Sequence, residues 1–110
     1  FYYYVAGPGA PRAQRGDWLY FITPDDIANN TSGDAVREYS YDHPGFYKDP
    51  ELTTKVSSLT ALDGDTTHEK VQINPGDVLY IGDDAGSVFK IEVQDKPERH
   101  KVALAVTRVE

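Results

Sequence analysis

The chain has 110 residues, of which 39% are hydrophobic and 26% charged, a balance that belongs to globular rather than disordered sequences. Its formal net charge of −7 opposes nucleic acid and anionic lipid, which need clustered Lys and Arg, whereas the basic residues here are scattered over both halves. Without cysteine there are no disulfides, no thiol chemistry and no cysteine-ligated zinc.

Residues 1–5, Phe-Tyr-Tyr-Tyr-Val, have strong β propensity and are expected to form an edge strand or one exchanged with a neighbour. Gly7-Pro8-Gly9-Ala10-Pro11 then breaks regular structure. The run Asp17 to Thr23 contains Trp18-Leu19-Tyr20-Phe21-Ile22 and predicts a strand covered on both faces. Thr23 and Pro24 can open one short helical turn, and Asn29 to Asp34 is a polar loop. Val36 to Tyr41 alternates and predicts a strand, with Arg37, Tyr39 and Tyr41 on one face. A turn-rich stretch from His43 to Pro50 follows, then a Thr- and Ser-rich strand candidate from Leu52 to Leu59.

From Glu69 the pattern becomes cleaner. Val71 and Ile73 are expected to face inward, and Asn74-Pro75-Gly76-Asp77 reads as a type II turn. Asp77 to Ile81, Val88 to Gln94 and a last strand carrying Val102, Leu104 and Val106 predict a three-stranded antiparallel meander. Lys96 to His100 is read as the turn before that last strand. The whole predicts one all-β domain over residues 1–110: an antiparallel sandwich or small barrel of about seven or eight strands. No stretch approaches the roughly 18 apolar residues of a membrane span. A chain that starts at Phe1 and lacks methionine is expected to follow a processing event, with a signal peptide, an anchor or another domain ahead of it.

The residues offer little catalytic apparatus. His43, His68 and His100 lie far apart in sequence, and no nucleophile sits in a G-x-S-x-G turn. A small hydrolase around His43 is the weakest of the functional classes considered. Calcium is the one cofactor candidate: Asp63, Asp65 and Glu69 place three carboxylates at positions 1, 3 and 7 of a loop, although the spacing is not that of an EF-hand. Asn74 to Ile81 is similar to the P-G-D-V-L-Y-I segment of cupin barrels, but the histidine pair of a cupin metal site is missing. Phe1 to Pro8 resembles the aromatic opening of coronavirus nucleocapsid RNA-binding domains. Those domains are basic and this chain is acidic.

What remains is the aromatic set. Tyr2, Tyr3, Tyr4, Trp18, Tyr39 and Tyr41, with Arg37 beside them, are the candidate binding residues, because proteins use Tyr and Trp as interface anchors and sugars stack on their rings. The expectation is a non-enzymatic structural or adhesive domain outside the cytoplasm or on a virion, contacting a protein partner or like subunits. A carbohydrate-binding module is the alternative.

Overall fold

The structure, a computed structural model, describes residues 1–21, 42–62, 68–83 and 85–109. It is all-β with almost no helix. Strands β1 (Tyr2–Ala6), β2 (Gly16–Tyr20) and β3 (Lys70–Ile73) form one antiparallel sheet, in that order. Strands β4 (Val78–Gly82), β5 (Val88–Glu98) and β6 (Lys101–Val109) form the other. The second sheet is the meander that the aliphatic alternation predicts. Arg12–Gln14 is a single 3-10 turn.

One core joins the two sheets. Leu19, Phe21, Val71 and Ile73 from the first pack with Leu79, Ile81, Ile91 and Val93 from the second. Alternation decides this: Ile91 and Val93 face inward while Lys90 and Glu92, between and beside them, stay at the surface. Asn74-Pro75-Gly76-Asp77 carries the chain from one sheet to the other. Gly76 has φ of 96°, as the third position of a type II turn requires, and the Asp77 amide donates to the Asn74 carbonyl at 3.1 Å.

Two expectations need correction. Leu52 to Leu59 is not a strand but part of a strap: it makes isolated bridges, Tyr47 with Lys55 and Ser58 with Lys70, while Tyr47 also bridges Tyr80. The strap therefore caps β3 on one side and β4 on the other, and Phe46 from it fills the core. Lys96 to His100 is not a broad turn either. Pairing runs out to Glu98 opposite Lys101, past two register shifts, and only Arg99 and His100 turn the chain, His100 with φ of 65°. Among the described residues the sheets do not close into a barrel, and the predicted strand over 36–41 lies outside them.

Candidate functional site

β1 and β2 pair with Tyr2 opposite Tyr20, Tyr4 opposite Trp18 and Tyr3 opposite Leu19. Because side chains alternate, Tyr2 and Tyr4 share the outer face with Tyr20 and Trp18, while Tyr3 points to the core side. The three consecutive tyrosines are thus not one surface. On the outer face the Tyr20 ring lies 4.8 Å from Tyr2, 5.5 Å from Tyr4 and 6.1 Å from His68. Lys70, only 1% exposed, places its ammonium 5.3 Å from the same ring and donates to the Thr60 carbonyl at 2.7 Å. Tyr2 is the exposed member, at 40%.

Trp18 is not a platform. It is 7% exposed, packs with Ala6, Tyr20 and Leu62 in a second small core, and its indole N–H donates to the Gln14 carbonyl at 2.9 Å. The 3-10 turn after Pro11 folds over the ring, which a sequence pattern does not announce. Arg37, Tyr39 and Tyr41 lie outside the described residues.

Of the calcium candidates, Asp63 and Asp65 lie outside the described residues as well. Glu69 is already engaged: its Oε1 accepts from Ser57 Oγ at 3.1 Å and pairs with Lys55 Nζ at 3.1 Å. Among the described residues no group of three or more metal-ligating side chains comes together. The Ser57 hydroxyl is buried and also accepts the Phe46 amide at 3.0 Å, so this cluster fastens the strap to β3. His43 is exposed beside Tyr47, with ring centres 6.5 Å apart, whereas the His68 ring lies 6.1 Å from Tyr20.

A third polar cluster links the sheets. Asp17, buried on β2, accepts the Tyr3 hydroxyl at 2.9 Å and pairs with Lys96 of β5 at 2.7 Å. Burial, with the hydrogen bond to Asp17 and that carboxylate's charge behind it, pushes the Tyr3 phenol up to about 12.

The surface that sequence reasoning missed is the outer edge of β6. β6 pairs with β5 on one side, and no described residue bonds to its other side. Val106 is 49% exposed although it sits opposite fully buried Ile91, so its face lies at an uncovered rim of the core. The available signal was the unbroken alternation of Val102, Leu104 and Val106 up to Arg108. At the Val109 end, an open cleft of about 810 Å³ is lined by Pro50, Glu51, Gly86, Ser87, Arg108 and Val109.

Compared with known proteins, the chain matches no family model, no curated protein and no solved structure. Among the described residues, no helix is long and apolar enough to cross a membrane.

Proposed function

We propose that this chain is a non-enzymatic structural or adhesive β-domain of an extracellular, cell-surface or virion assembly, acting through protein–protein contacts. Its two sheets are read as the layers of a β-sandwich around the Leu19–Ile91 core. One observation carries the reading: nine-residue β6 leaves one edge unpaired among the described residues and exposes Val106 on it. An edge of this length offers a row of backbone donors and acceptors, and proteins either blunt such edges or use them to add a strand. β1 is likewise the outer strand of its own sheet and pairs with β2, which is where the aromatic N-terminal segment is used.

The test is light scattering over a concentration series, together with capture on a display library of extended peptides, for the natural chain and Val106→Lys. Association or peptide capture that Val106→Lys removes, with an unchanged circular dichroism spectrum, supports the reading. Neither association nor capture, or either one untouched by the substitution, defeats it.

Carbohydrate binding is the second reading, favoured by the exposed Tyr2 ring backed at 4.8 Å by Tyr20. A glycan array on which the chain binds and Tyr2→Ala does not would select it.

A further inference from the structure

The open edge of β6 points to a specific occupant. We propose that β6 pairs antiparallel with β6 of a second copy of this chain, on a two-fold axis through Ala105. The inference rests on reading β6 as the contact edge and adds the partner and the register.

Symmetry restricts the register. A two-fold normal to the sheet keeps each side chain on its own face, and antiparallel partners must share a face, so one residue lies opposite itself. Centring on Ala105 uses the whole strand, Lys101 to Val109. It sets Lys101 opposite Val109, Val102 opposite Arg108, Ala103 opposite Thr107 and Leu104 opposite Val106. No like charges face one another. On the core side, half-buried Leu104 of each copy meets exposed Val106 of the other, so the uncovered rim of each core is closed by its mate.

Charge at the strand ends agrees with a second copy. The chain carries −7 overall, but at the exposed tip where β5 turns into β6, Lys101 is paired with Glu98 at 3.3 Å and Arg99 adds a further positive charge. The antiparallel register brings that tip to the Val109 end of the mate, beside the cleft where Glu51 and Arg108 both stand. Among the described residues no ion pair engages Arg99 or Glu51. Arg99 of the tip and Glu51 of the cleft are complementary, and the two-fold makes that match twice.

The absence of cysteine gives a clean test. In Ala105→Cys the two thiols meet across the axis at a backbone spacing of about 5 Å, within disulfide range. In Ala103→Cys the corresponding residues are offset by four positions, about 13 Å, which is beyond it. Under mild oxidation, Ala105→Cys is expected to give a covalent dimer and Ala103→Cys a monomer, while light scattering of the natural chain gives twice the monomer mass. A natural chain that stays monomeric at its highest soluble concentration overturns the proposal. So does cross-linking that is equal at both positions or absent at Ala105→Cys. If the natural chain stays monomeric and Ala105→Cys does not cross-link, yet Val106→Lys abolishes peptide capture, the contact edge stands and its occupant is a foreign strand. If Val106→Lys changes nothing, the edge itself is wrong.

Discussion

Lys96, near the far end of β5, donates to Asp17 of β2 at 2.9 Å and so ties the two sheets together across 79 positions of sequence. The Tyr3 hydroxyl of β1 donates to the same carboxylate oxygen at 2.9 Å. One buried side chain therefore holds three strands. Asp17→Ala removes both acceptors and strips the half-buried Tyr3 hydroxyl of its partner. It is expected to destabilise the chain by about 1–3 kcal/mol in urea unfolding, with Tyr3→Phe costing about 1 kcal/mol.

The same cluster sets a pH dependence. The Tyr3 phenol is held at about 12 against an ordinary value of 10.0, so its neutral form is favoured in the folded chain. Its contribution to stability is complete below pH 10 and is lost as pH rises through about 12. Burial raises the Tyr47 phenol as well, so ultraviolet titration should show a late step that Tyr3→Phe diminishes by one phenol without abolishing it.

The strap is held by Ser57, which accepts the Phe46 amide at 3.0 Å and donates to Glu69 at 3.1 Å. Ser57→Ala leaves that amide buried without a partner and is expected to cost about 1–3 kcal/mol. Gly45, with φ of 100°, presses against the Ser57 hydroxyl where a Cβ would sit. Gly45→Ala should therefore cost more than about 1 kcal/mol, combining backbone strain with the clash. Thermal or urea unfolding of the two variants measures both.

Trp18 is the lone tryptophan and is nearly buried. Its fluorescence should be blue-shifted, resist quenching by iodide and report global unfolding. Emission that is freely quenched would mean that the ring is a surface platform after all.

The regular strands were legible because one face of each is buried, and burial writes the period of two into Val71, Ile73, Phe89, Ile91, Val93 and Leu104. The hairpin arm from Gln94 to Glu98 was not legible, since it pairs while both faces stay exposed and nothing selects an apolar alternation there. Leu52 to Leu59 misled in the opposite way. Its Thr and Ser content suits a strand, but Asp49 gathers the amides of Thr53 and Thr54 at 3.1 and 2.9 Å and bends the segment instead. The aromatic site was half legible: composition marked Tyr2, Tyr3 and Tyr4, while strand alternation alone separates Tyr3 from the other two. Asp17 gave no sign of its role, because its partners lie 14 residues before it and 79 after.

Amide hydrogen exchange along β6 tests most directly the claim that this chain acts through its open edge. Alternate amides between Lys101 and Val109, those not bonded to β5, should exchange freely in dilute solution. They should gain protection as the concentration is raised, and Val106→Lys should abolish that gain. Identical exchange along β6 at both concentrations, in a chain that light scattering shows to have associated, would contradict the account.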